Sequence, residues 1–159
     1  MPVSYLQQPY LLRAFMTFNG AADYGATGVN ELFTTTGAVL IEGFWVRCTS
    51  DLVDAVDGAV FTIGTPASPN LIADYSAADL DSIVAGVYLG GTGVSDGYGD
   101  NIVAANGSGT SVGGTAINTN IIMTISTQAI TGGVLEFYVL WRPLSADGNL
   151  AIGAGMVAI

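Results

Sequence analysis

The chain has 159 residues, enough for one domain to bury a core without metal or disulfide staples, and half of it is hydrophobic while only 10% is charged. Thirteen acids face three arginines, Arg13, Arg47 and Arg142, with no lysine and no histidine, for a formal net charge of −10. So few cations exclude a phosphate-neutralising nucleic-acid surface and an anionic-membrane partner, and the lack of histidine excludes Ser-His-Asp catalysis, Cys-His catalysis and histidine-containing zinc sites.

The N-terminal stretch MPVSYLQQPYLLRAFMTFNG is broken by Pro2, Gln7, Gln8, Pro9 and Arg13. It lacks the basic start, apolar centre and small-residue cleavage site of a signal peptide. No apolar run reaches the roughly 18 residues a spanning helix needs. The mean hydropathy of +0.54 is therefore expected to reflect a core or subunit interfaces. Met1 to Tyr10, with two prolines and no periodicity, reads as an arm, so residues 1–20 are taken as an arm leading into the first strand and 21–159 as the remaining sandwich.

Residues 10–18 (YLLRAFMTF) predict that first strand. Residues 38–48 alternate, with Val39, Ile41, Trp45 and Arg47 on one face and Leu40, Glu42, Phe44, Val46 and Cys48 on the other. Both faces are mostly apolar, so the strand is expected to be covered on both sides. Residues 59–65 (AVFTIGT) predict another strand. Ser76 to Asp79 fit a helix cap, with Leu80, Ile83 and Val84 following at helical spacing and Gly86 as a stop; a strand or irregular loop fits the same residues.

Residues 90–116 are rich in glycine and polar residues and predict two long exposed loops around a short strand at 101–105. Residues 121–127 place Ile121, Met123 and Ile125 on one face; residues 134–142 place Leu135, Phe137, Val139 and Trp141 opposite Glu136, Tyr138 and Arg142. Thr131-Gly132-Gly133 predicts a hairpin joining these last two strands. The tail from Leu150 is weakly strand-like. The expected fold is all-β: a single-domain antiparallel sandwich or barrel, jelly-roll-like, with long Gly-rich loops and at most one short helix.

Asp51, Asp54 and Asp57 fall at every third position and offer oxygens to calcium, but they lack the EF-hand pattern and fit a solvated loop equally well. Asp96-Gly-Tyr-Gly-Asp100 is a similar case. The glycines at 91–99 lack the helix and lysine of a phosphate loop. No catalytic, metal or cofactor site is assigned. Arg47 and Arg142, beside Trp45 and Trp141, are expected to pair with Glu42 or Glu136 or stack on rings, to snorkel at a rim position, or to bridge subunits. Lone Cys48 reads as a small apolar residue. Tyr5, Tyr10, Arg13, Trp45, Arg47, Trp141 and Arg142 are the candidate interface or structural residues.

The blocks Thr36-Gly-Ala-Val-Leu-Ile-Glu-Gly-Phe-Trp-Val-Arg-Cys-Thr-Ser-Asp-Leu52 and Thr131-Gly-Gly-Val-Leu-Glu-Phe-Tyr-Val-Leu-Trp-Arg-Pro-Leu-Ser-Ala-Asp-Gly148 resemble small virion proteins of tailed bacteriophages, most of all capsid decoration (cement) proteins. The resemblance spans roughly residues 34–150 and its motifs are structural. It implies a non-enzymatic β-rich protein, a homotrimer, that sits on the outer capsid surface and clamps the major capsid protein after assembly in the host cytoplasm. A tail, baseplate or fibre component is the nearest variant. A carbohydrate- or receptor-binding sandwich using Tyr75, Tyr88 and Tyr98 beside acids and calcium is the alternative of another class.

Overall fold

The computed structural model describes residues 8–56, 58–75, 80, 83–90, 102–104 and 115–159, and the side chains of 74, 75, 90 and 102–104 fall outside that description. Twelve strands are described: β1 (Tyr10–Thr17), β2 (Gly28–Thr36), β3 (Val39–Asp54), β4 (Val60–Thr65), β5 (Ser68–Tyr75), β6 (Tyr88–Gly90), β7 (Ile102–Ala104), β8 (Thr115–Ile117), β9 (Ile121–Ser126), β10 (Ile130–Pro143), β11 (Asn149–Ile152) and β12 (Val157–Ala158). They form two packed sheets, one of seven strands in the order β12-β1-β10-β3-β6-β7 with β8 also on β3, the other of five in the order β11-β2-β9-β4-β5. All pairings between these strands are antiparallel except β6 with β7.

The pairs nest. β4 pairs β5, β3 pairs β6, β2 pairs β9 and β1 pairs β10, alternating between the two sheets. One long antiparallel ribbon rolled on itself produces this order, which is the jelly roll the alternating strands predict. Its core lies between the sheets, where Phe33, Phe61, Phe137, Met16, Leu32, Ile41 and Ile63 are fully buried. Phe44 meets Phe33 and Phe137 edge-on, with ring centroids 6.3 Å apart in both pairs. Cys48 is buried among them, and burial holds its thiol above the ordinary range.

The faces predicted for β9 and β10 are observed: Ile121, Met123 and Ile125, and Leu135, Phe137, Val139 and Trp141, all point into the core. Those predicted for residues 38–48 need correction. Val39 and Ile41 are buried, but Val46 and Cys48 are also buried, whereas Trp45 and Arg47 are partly exposed on the opposite side. The register explains the switch: Leu140 pairs Gly43 and Trp141 pairs Ile41, leaving Glu42 as an extra residue in a β-bulge. One inserted residue in a period-two chain moves every later side chain to the other face.

The predicted hairpin at Thr131–Gly133 is also corrected. β9 belongs to the five-stranded sheet and β10 to the seven-stranded one, so they do not pair. The chain changes sheets at Thr127, whose φ of 71° lies in the left-handed region. Gly132 and Gly133 sit inside β10, opposite an irregular stretch of β3.

Of the helix predicted after Ser76, residues 76–79, 81 and 82 lie outside the described residues. Ile83 N–H donates to Leu80 C=O at 2.9 Å; Leu80 and Ile83 are buried and Val84 is exposed. The Gly-rich loops at 91–101 and 105–114 also lie outside the described residues, and the short strand expected between them is β7.

Candidate interaction surface

Cross-strand register arranges the outer face of the seven-stranded sheet into rows. The longest row runs through five strands: Val157 on β12, Phe15 on β1, Glu136 on β10, Arg47 on β3 and Tyr88 on β6. The next is Arg13, Tyr138 and Trp45, and beyond it lie Leu11, Leu140 and Gly43. Arg142 and Leu40 close the grid on the far side of the bulge. All three arginines of the chain thus stand on one sheet face.

Contacts along the rows hold these side chains in place. Trp45 stacks on Tyr138 at 5.5 Å with rings 6° from parallel, and the Arg13 guanidinium lies 5.3 Å from the centre of the Tyr138 ring. Gly43 leaves room beside the stack, since a Cβ there would approach the Trp45 indole to 3.3 Å, a tight contact. Tyr138 O–H donates to Glu136 Oε2 at 2.6 Å, and the same oxygen lies 3.9 Å from Arg47 Nη1. Arg47 in turn sits 5.9 Å over the Tyr88 ring. Arg142 donates to the Glu42 carboxylate, the residue lifted out by the bulge.

The expected pairings of Arg47 and Arg142 with Glu136 and Glu42 are therefore made within one copy. These partly exposed pairs contribute little to stability on their own. Their effect is to fix the geometry of a surface that combines tryptophan, tyrosine and arginine, the residue types that dominate binding hot spots. The face is open to solvent: Leu11 and Val157 are each 52% exposed and Tyr88 47%.

The Glu136 carboxylate, as hydrogen-bond acceptor, holds the Tyr138 phenol above its ordinary value of 10.0, reinforced by partial burial, while Arg13 pulls weakly the other way. A phenol whose folded pKa is raised contributes stability below the unfolded value near 10, and that contribution is lost as pH rises through the folded value. An alkaline titration followed by tyrosinate absorbance should therefore show a step above the ordinary phenol range. Tyr138→Phe should remove that late step; its persistence in the variant would assign it elsewhere.

The other candidate residues fall differently. Trp141 faces inward and is only 7% exposed, so it is a core residue. Half-exposed Tyr10 lies against it at 5.1 Å between ring centroids. The two border an open cleft of about 770 Å³ completed by Arg142, Leu144, Ser145 and Asn149. Tyr5 lies outside the described residues.

Asp51 and Asp54 lie in the last stretch of β3 and accept from neighbouring backbone: Ala85 N–H donates to Asp51 Oδ1 at 2.7 Å and Ala59 N–H to Asp54 Oδ2 at 2.9 Å. Asp57, Asp96, Tyr98 and Asp100 lie outside the described residues, among which no cluster of three metal-ligating side chains occurs. Tyr75 belongs to β5 in the five-stranded sheet and Tyr88 to β6 in the other, and the Tyr75 side chain lies outside the description. Sequence reasoning missed Tyr138 and Glu136 as members of the surface. Both alternate with the core residues of β10, which was the available signal.

No family model and no curated protein matches the chain. Among solved structures, a chain of the cyanophage Pam1 capsid asymmetric unit is similar, with a TM-score of 0.47 and 14% sequence identity over 85% of this chain and 86% of that one.

Proposed function

We propose that the protein is a non-enzymatic structural component of a bacteriophage virion, a decoration protein that binds the outer capsid lattice as a homotrimer and stabilises the head. The observation that carries this reading is the grid on the seven-stranded sheet. A chain that leaves leucine, tyrosine, tryptophan and all its arginines ordered on one open face is built for association with protein. The resemblance of residues 36–52 and 131–148 to phage virion proteins supplies the kind of assembly. Multivalent attachment then sums weak individual contacts into a stable clamp.

β1 starts at Tyr10, beside the cleft with Trp141, and this reading assigns the preceding residues 1–9 to the shell contact as an arm. The test uses capsids of the encoding phage assembled without this protein. Full-length protein should bind them and raise their melting temperature, whereas a form lacking residues 1–9 should fold normally but occupy the shell poorly. Equal occupancy would reject the arm, and failure of the full-length protein to bind would reject the decoration role. A response to sugars or a chelator in place of capsids would favour the carbohydrate-binding alternative.

A further inference from the structure

We infer that the grid on the seven-stranded sheet is a head-to-tail contact between copies of this chain, in which Arg13 pairs with a carboxylate of the neighbouring copy. This rests on the association role proposed above and names the surface and the chemistry that close the assembly. The argument starts from charge. The chain carries 13 acids against three cations, so copies repel one another unless their contact places the cations. All three stand on this face.

Two of the three already stand in ion pairs, Arg47 3.9 Å from Glu136 and Arg142 bonded to Glu42. Arg13 is different. It is exposed, held over the Tyr138 ring, and has no carboxylate within ion-pair distance among the described residues. Leu11, Phe15 and Trp45 flank it, and Ile159, itself 52% exposed, bonds to its backbone carbonyl. Covering these apolar groups would exclude water from the guanidinium and strengthen a charge-assisted bond.

Symmetry favours one arrangement. A two-fold laying this face on itself sets arginines against arginines, and of the side-chain carboxylates on β3 and β10 it leaves only Asp51 and Asp54, at the far end of β3, outside the ion pairs. Another part of the neighbour offers Arg13 exposed acids without that repulsion; Asp23, in the β1–β2 loop, and Asp147, in the β10–β11 loop, are described examples. Such a contact is heterologous, and it closes as a ring when the rotation between neighbours completes a full turn, as the proposed trimer requires.

The test uses the full-length protein alone. Sedimentation equilibrium should show a concentration-dependent ring that loosens with added salt. Arg13→Glu should weaken association by about tenfold or more while leaving the circular dichroism unchanged. Trp45→Ala should also weaken it, through lost apolar contact.

Arg13→Lys gives a direct readout, because the chain has no other lysine. With the N-terminal amine acetylated, a zero-length carbodiimide should join position 13 to an aspartate or glutamate. Mixing ¹⁴N- and ¹⁵N-labelled copies should show mixed-isotope cross-links. A wild type that stays monomeric, an Arg13→Glu variant that associates normally, or cross-links confined to one copy would each overturn the inference. A monomer that still binds capsids would reject the ring and leave the decoration role standing. A ring that ignores capsids would do the reverse.

Discussion

Trp141→Ala is expected to destabilise the fold by about 3–5 kcal/mol, the usual cost of removing a large buried aromatic. The side chain points into the core from β10 and is 7% exposed, with Tyr10 against its ring. The effect should lie toward the lower end of that range. Trp141 borders an open cleft of about 770 Å³, so water can enter the space it vacates and no sealed void remains.

Trp45→Ala is the contrasting substitution. Its indole lies on the outer face, stacked on Tyr138, and its loss from an isolated copy should cost about 1 kcal/mol, the worth of an aromatic pair. Urea denaturation with an unchanged slope is the measurement for both. Equal midpoints for Trp141→Ala and wild type would show that Trp141 is not a core residue.

The contrast between the two tryptophans also marks what a sequence discloses. Both lie in strands with clear alternation, and for Trp141 the alternation is sufficient, because β10 runs unbroken from Leu135 to Trp141 with every second residue buried. For Trp45 it misleads. The bulge at Glu42 reverses the faces of β3, and nothing in Ile-Glu-Gly-Phe-Trp marks an extra residue except the glycine itself. A bulge is a relation between two strands, fixed by a partner 100 positions away, so a local pattern cannot locate it.

β2 escaped for a related reason. Its register shifts between Glu31 and Phe33, so Leu32 and Phe33 are both buried in succession, and one of its core positions is occupied by Asn30. The interaction surface was legible as a residue set, since arginine is rare here and aromatic neighbours stand out, but its rows come from pairing β12, β1, β10, β3 and β6. The predicted hairpin failed on the same ground: Gly132-Gly133 looks like a turn until the destination of each flanking strand is known.

Asn30 points to the second large effect. It is 1% exposed, its Oδ1 accepts the Gly25 N–H at 3.0 Å, and its amide donates to Ala26 C=O at 2.9 Å. Gly25 C=O in turn accepts the Ile130 N–H at 2.9 Å, at the point where the chain enters β10. Gly25 is thus the hinge between the β1–β2 loop and the crossing from one sheet to the other. Its φ is +106°, and an added Cβ would lie 2.3 Å from the Ile130 carbonyl oxygen and 2.8 Å from Phe18 Cδ1.

Gly25→Ala should therefore cost about 3 kcal/mol or more: about 1–2 for the backbone conformation and the remainder for displacing Ile130 and its hydrogen bond. Gly28 supplies the internal control. Its φ is +107°, almost the same, but nothing lies within 4 Å of an added Cβ, so Gly28→Ala should cost only the backbone part, about 1–2 kcal/mol. The difference between the two in thermal or urea unfolding measures the crowding at the sheet crossing. Equal losses would mean that the loop yields freely and that Ile130 is not held against Gly25.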